Sequence, residues 1–149
     1  MDDRDGPARF AHAPLVPFVP SPLPARRIRV AIVGSTGSVG RQAIDVVMAH
    51  PGVFEVVALA AGRSVDLVAA QAHATGARVV AVTGGDLPDR DSDALVRDVR
   101  GLLEARGTGT AEVLGGASAL ESVATLPDVD VVLVATSGRG ALPETLAAL

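Results

Sequence analysis

Seven residues, Gly34-Ser35-Thr36-Gly37-Ser38-Val39-Gly40, limit most strongly what this chain can fold into. They follow Arg27-Ile28-Arg29-Val30-Ala31-Ile32-Val33, a run rich in β-branched residues that reads as a strand. They lead into residues 38–50, where Val39, Ala43, Val46 and Val47 recur at helical spacing before a stop at Pro51. A strand that enters a glycine turn and leaves as a helix is the unit that binds nucleotide phosphates in α/β domains. The glycines are spaced GxxGxxG rather than GxGxxG, but the physical needs are the same. One glycine makes the tight turn, one leaves the backbone bare where a diphosphate approaches, and one lets the helix sit close on the strand. The amides of Gly37, Ser38 and Val39 are expected to face the crevice at the helix N-terminus, with Thr36 and Ser38 adding hydroxyls. The plain alternative is a turn whose glycines serve packing only; the strand before it and the helix after it favour binding.

The rest of the chain continues the alternation. Strands are expected at 54–60, 78–83, 111–114 and 129–135, and helices at 64–73, 92–106 and 117–124, with a last helix beginning near Leu142-Pro143-Glu144. Ser64 can cap the second helix and Gly76 stands near its end. Strands that are apolar throughout, such as 129–135, are expected when helices cover both faces of a parallel sheet. The fold class is therefore α/β, a Rossmann-like doubly wound and mostly parallel sheet of about five strands. Residues 1–26 differ in kind: they hold six of the ten prolines and show no periodicity, so they read as a disordered proline-rich leader ahead of a nucleotide-binding domain at 27–149.

Composition removes much ordinary enzyme chemistry. The 149 residues include no Cys, Trp or Tyr, and all thirteen basic residues are Arg. A thiol nucleophile, a Schiff-base lysine, a Tyr acid, a disulfide framework and a Cys-ligated metal are excluded from this chain. The same absence of Lys rules out a phosphate-binding Gly-Lys-Ser/Thr loop. A net charge of −4 and only three aromatic residues argue against a nucleic-acid partner. No apolar run approaches the ~20 residues of a membrane span, and the start Met1-Asp2-Asp3-Arg4-Asp5 is no signal peptide, so the expected location is the cytoplasm.

The end of the second strand discriminates between nicotinamide cofactors. An NAD site usually places Asp or Glu there to hold the ribose 2′-hydroxyl. Here the strand ends Ala60-Ala61-Gly62-Arg63-Ser64, with no acid and with a cation and a hydroxyl suited to a 2′-phosphate. The cofactor indicated is NADP. Other candidates are weaker. Asp89, Asp91 and Asp93 have calcium-loop spacing, but Ala94 and Arg100 stand where that loop needs Gly and Glu. His12, His50 and His73 have no spaced partner and read as structural or exposed. Ser137-Gly138-Arg139-Gly140 follows the fifth strand at the edge where such sheets bind ligands, and is either a crevice wall or only a loop.

The glycine segment, Ile44-Asp45-Val46-Val47, residues 56–64 and the closing Leu142-Pro143-Glu144-Thr145-Leu146 together resemble the N-terminal domain of 1-deoxy-D-xylulose 5-phosphate reductoisomerases over about residues 27–149. The resemblance implies an NADPH-binding fold, a homodimer, and Mg or Mn in the complete enzyme. Carried over position by position, it puts cofactor contacts on Thr36, Gly37, Ser38, Val39, Gly62, Arg63 and Ser64; Ser64 stands where the family carries Asn. The family's substrate-contacting Ala-Asn-Lys-Glu segment and its acidic metal ligands have no counterpart here, so no catalytic and no metal-ligating residue is assigned. The expectation is a truncated cofactor domain that binds NADPH without catalysing, with an uncovered sheet edge that favours aggregation or oligomers. Two alternatives stay open: a non-catalytic nucleotide-binding or interaction module, and the cofactor domain of another NADP-dependent reductase such as a semialdehyde dehydrogenase.

Overall fold

The computed structural model describes residues 25–84, 92–116, 118–136, 145–146 and 148–149. The leader up to residue 24, Asp89, Asp91 and the segments 137–140 and 142–144 lie outside the described residues. Strands and helices alternate: β1 (Ile28–Val33), α1 (Ser38–Ala49), β2 (Phe54–Ala61), α2 (Val65–Thr75), β3 (Val79–Val82), α3 (Ser92–Ala105), β4 (Glu112–Gly115), α4 (Ala119–Ala124) and β5 (Val131–Val134). All strand pairs are parallel, and the order across the sheet is β4-β3-β2-β1-β5. The chain therefore steps outward from β1 through β4, then returns to the far side of β1. That reversal makes the β1/β5 boundary a topological switch point, where the C-terminal strand ends open a crevice for ligands. The α/β sheet expected from the sequence is the architecture found.

Parity along the strands divides the core into two layers. Val30, Ile32, Leu59, Ala61, Val80 and Val82 face α1, α2 and α3, where Ile44, Val47, Val68, Ala72, Leu95, Val99 and Leu103 complete a large aliphatic layer. Each fully buried Leu or Ile there contributes about 1.5–3 kcal/mol, so this layer dominates the stability of the domain. The opposite face offers mostly alanines, Ala31, Ala58, Ala60 and Ala81, on which α4 sits through Ala119 and Val123. Small residues let the short helix α4 approach closely.

Pairing between β1 and β2 shifts register after Val30, which faces Val56 while Ala31 faces Ala58. The extra residue, Val57, is a bulge. It explains why Val56 and Leu59, three apart, share one face when strict alternation would oppose them. β5 lies at the edge of the described sheet, so its residues are only half buried and Val131 is 46% exposed.

Gly76 ends α2 in the left-handed conformation, φ +72°, as its position suggested. Ser64 occupies the N-cap of α2 but makes no side-chain cap bond. His50 and His73 are exposed, and their ring Nδ1 atoms lie 2.9 Å from the Val46 carbonyl and 2.8 Å from the Thr108 hydroxyl.

Charged groups tie the N-terminal ends of the strands. Arg26 donates to Asp130 through its two terminal guanidinium nitrogens at 2.5 and 2.8 Å, Asp130 also accepts the Arg29 N–H at 2.9 Å, and Arg78 reaches Asp128 at 2.5 Å. Hydrogen bonds from Arg26 and the Arg29 amide hold the Asp130 carboxyl well below the usual carboxylate range, and Arg78 lowers that of Asp128. Native carboxyls with lowered pKa stabilise the fold above the ordinary carboxylate pKa and lose that contribution as pH falls through the lowered values. Thermal melts are expected to be flat at neutral pH and to drop below about pH 4, with a shallower drop in Asp130→Asn. An equally steep acid limb in the variant would remove Asp130 as a cause.

Candidate nucleotide site

At the C-terminal end of β1 the chain reverses into α1 within four residues. Gly34 has φ +83°, a conformation other residues adopt only under strain. A Cβ on Gly34 would also lie 2.8 Å from the Ala135 carbonyl carbon and 2.9 Å from Thr136 atoms, so the turn presses directly against the end of β5. The N–H groups of Gly34 and Ser35 both donate to the Ala60 carbonyl at 2.9 Å, which fastens the turn to β2. A Cβ on Gly40 would stand 2.2 Å from the Gly34 carbonyl oxygen and 2.7 Å from the Ser35 Cα. Only a glycine lets α1 start this close to the strand.

Gly37 is different. Its backbone, φ −72° and ψ 171°, suits any residue, and a Cβ there would meet nothing nearer than the Gly34 oxygen at 3.4 Å. The fold itself therefore explains Gly34 and Gly40 but places no demand on Gly37. What Gly37 leaves is a bare, exposed patch at the start of a helix. That start is unsatisfied: no side chain caps it, no acid lies in the first turn, and the first intrahelical bond runs from the Arg41 N–H to the Gly37 carbonyl at 3.0 Å. The amides of Ser38, Val39 and Gly40 precede it and have no helical acceptor. Such an end attracts anionic oxygens through its N–H groups and its dipole. One expected donor is corrected, since the Gly37 N–H closes the turn on the Gly34 carbonyl at 3.1 Å. The contribution of Gly37 is its missing side chain, while the Thr36 N–H is without a partner among the described residues.

The neighbouring strand brings the second group. β2 ends at Ala61, so Gly62, Arg63 and Ser64 stand on the same sheet edge as the turn. The Gly62 carbonyl accepts the Gly84 N–H at 2.9 Å, which anchors this loop to the one after β3. Arg63 and Ser64 are exposed, and among the described residues no carboxylate pairs with Arg63. Val39, 56% exposed in the first turn of α1, presents an apolar side chain on the same edge. The arrangement offers a bare backbone and amides for a diphosphate, with a cation one strand away for a further phosphate. Among the described residues no cluster of three or more His, Asp or Glu could hold a metal ion, and no helix is long and apolar enough to cross a membrane.

Two polar residues at the turn escaped the sequence reading. Ser35 is fully buried, and Gln71 on α2 is 8% exposed; the Gln71 Nε2 donates to the Ser35 carbonyl at 2.9 Å. The only hint in the sequence is a Gln among the small apolar residues of α2, with nothing to say that its partner lies 36 positions away.

Comparison with known proteins agrees with this geometry. The family model of 1-deoxy-D-xylulose 5-phosphate reductoisomerase matches residues 30–149. The reductoisomerase of Pseudarthrobacter chlorophenolicus is 45% identical over 122 residues, covering 81% of this chain and 30% of the relative. That of Methylococcus capsulatus is 41% identical over 119 residues, covering 80% and 28%. The chain thus spans about three tenths of the length of these curated relatives. Among solved structures, the reductoisomerase from Zymomonas mobilis in complex with NADPH superposes with a TM-score of 0.71 at 27% identity, covering 83% of this chain and 30% of that one. A DOX-P reductoisomerase in complex with NADPH, fosmidomycin and magnesium gives 0.68 at 27% identity, over 81% and 27%. A glycine turn at the switch point of a parallel sheet, an exposed Arg just past the adjacent strand and a family match over most of its length lead to one conclusion: the chain belongs to the 1-deoxy-D-xylulose 5-phosphate reductoisomerase family.

Proposed function

We propose that this chain binds NADPH across the C-terminal ends of β1 and β2 and supplies the cofactor-binding part of a reductoisomerase. The observation that carries the reading is Gly37, a glycine the fold does not require, at an uncapped helix start. In this reading the diphosphate lies over Gly37 against the amides of Thr36, Ser38 and Val39, with the Thr36 and Ser38 hydroxyls as further donors. Gly62, Arg63 and Ser64 take the adenosine end, Arg63 and the Ser64 hydroxyl holding the 2′-phosphate. When bound, NADPH supplies the hydride that reduces the aldehyde formed by rearrangement of 1-deoxy-D-xylulose 5-phosphate, giving 2-C-methyl-D-erythritol 4-phosphate in isoprenoid biosynthesis. None of the residues named here moves a proton or contacts that sugar, so this chain alone binds the cofactor without turning it over. The ketose phosphate, the Mg or Mn ion and homodimer formation belong to the complete enzyme, acting in the cytoplasm.

Titration calorimetry tests the reading. NADPH is expected to bind roughly 10- to 100-fold more tightly than NADH, the worth of one charge-assisted phosphate contact. Arg63→Ala is expected to remove most of that preference while leaving NADH binding unchanged. Absence of NADPH binding, or equal affinity for the two cofactors, would reject it.

A further inference from the structure

The buried pair Gln71 and Ser35 lies outside every role assigned above. The turn at 34–37 is held from two sides. On one side β2 takes its amides, through the bonds from Gly34 and Ser35 to the Ala60 carbonyl. On the other, Gln71 is the only described residue bonded to the Ser35 carbonyl, at 2.9 Å. The remaining polar atoms of the pair, the Gln71 Oε1 and the Ser35 hydroxyl, are buried with no partner among the described residues. A buried side chain that leaves half of its amide unsatisfied is costly for stability alone, which favours a role beyond packing.

That role follows from peptide geometry. The peptide joining Ser35 to Thr36 is trans and planar, so its carbonyl and its N–H point in opposite directions. Fixing the Ser35 carbonyl toward α2 therefore fixes the Thr36 N–H away from α2, and that N–H has no partner among the described residues. We propose that Gln71 is a positioning residue: by holding the Ser35 carbonyl it orients the Thr36 N–H as a donor to the diphosphate of the cofactor. The inference rests on the NADPH-binding reading and adds to it a residue that never touches the ligand. Without Gln71 the buried carbonyl has no donor, and the peptide is free to rotate toward water, taking the Thr36 N–H with it.

The test compares the full chain with Gln71→Met, which keeps length and volume but donates nothing, and Gln71→Glu, which sets a second acceptor against the carbonyl. NADPH affinity is expected to fall about tenfold in Gln71→Met, the worth of one oriented hydrogen bond, and further in Gln71→Glu. Adenosine 2′-monophosphate, which carries the 2′-phosphate but no diphosphate, is expected to bind both variants as it binds the wild type. Unchanged NADPH affinity in Gln71→Met, or parallel loss of both ligands, would overturn the proposal, since a merely structural role loosens the whole edge. If the wild-type chain binds no NADPH, the functional reading fails, yet Gln71 is still tested by residual dipolar couplings of the Thr36 N–H in the cofactor-free protein. A coupling that changes in Gln71→Met shows that Gln71 orients the Thr36 N–H even though the functional reading has failed, and an unchanged one rejects the positioning role as well.

Discussion

Gly40→Ala is expected to destabilise the domain by about 3 kcal/mol or more, the upper end of the cost of overpacking a close-packed site. The single added methyl would lie 2.2 Å from one backbone atom and within 2.8 Å of two more, all in the turn itself. No side chain can swing away to relieve it; α1 must lift off the strand. Lifting α1 also strips Ile44 and Val47 from the large aliphatic layer, so the loss is not confined to the turn. Against a total of about 5–15 kcal/mol for a domain, a fall in melting temperature of about 10 °C or more follows. Denaturant and thermal melts of the purified variant check this. A melting point within about 3 °C of wild type would show that the helix can retreat without cost, and would withdraw the claim that Gly40 exists for close packing.

Gly37→Ser, three residues earlier in the same motif, is expected to do the opposite. Serine is a favoured N-cap residue, the backbone there already has an ordinary extended conformation, and a Cβ meets only ordinary contacts, the nearest at 3.4 Å. Stability is expected to stay level or rise by up to about 1 kcal/mol, from capping and from a stiffer unfolded chain. NADPH affinity is expected to fall about 100-fold, because the new hydroxyl both fills the bare patch and takes an amide that the diphosphate needs. Calorimetry alongside thermal melts separates the two effects in one sample. A Gly37→Ser protein that binds NADPH like the wild type would mean that the diphosphate lies elsewhere, and the placement of the cofactor over this turn would fall with it.

The contrast between these glycines marks where sequence reading stopped. The GxxGxxG spacing names three positions alike, because a sequence records only that a side chain is missing. Which absence serves the fold and which is left over depends on distances to Ala135, Thr136 and Ser35, set by how β5 and α1 come to rest. The amide of Gly37 illustrates the same limit. It stands where a helix-start donor belongs, yet it is consumed inside the turn, a detail of ψ and φ that spacing does not carry. Ser64 repeats the lesson, with the right residue at the N-cap and no cap bond made.

By itself the sequence determined the order and type of the elements, the place of the glycine turn and the Arg just past β2, because helical and strand periodicity and turn chemistry are expressed within about ten residues. Tertiary structure alone decided that β5 lies beside β1, that Val57 bulges so that Val56 and Leu59 share a face, that Asp130 secures Arg26 across 104 positions, and that Gln71 reaches Ser35. These pairings join segments far apart in the chain, and their partners are chosen by the packing of whole layers, a property that no short window of sequence contains.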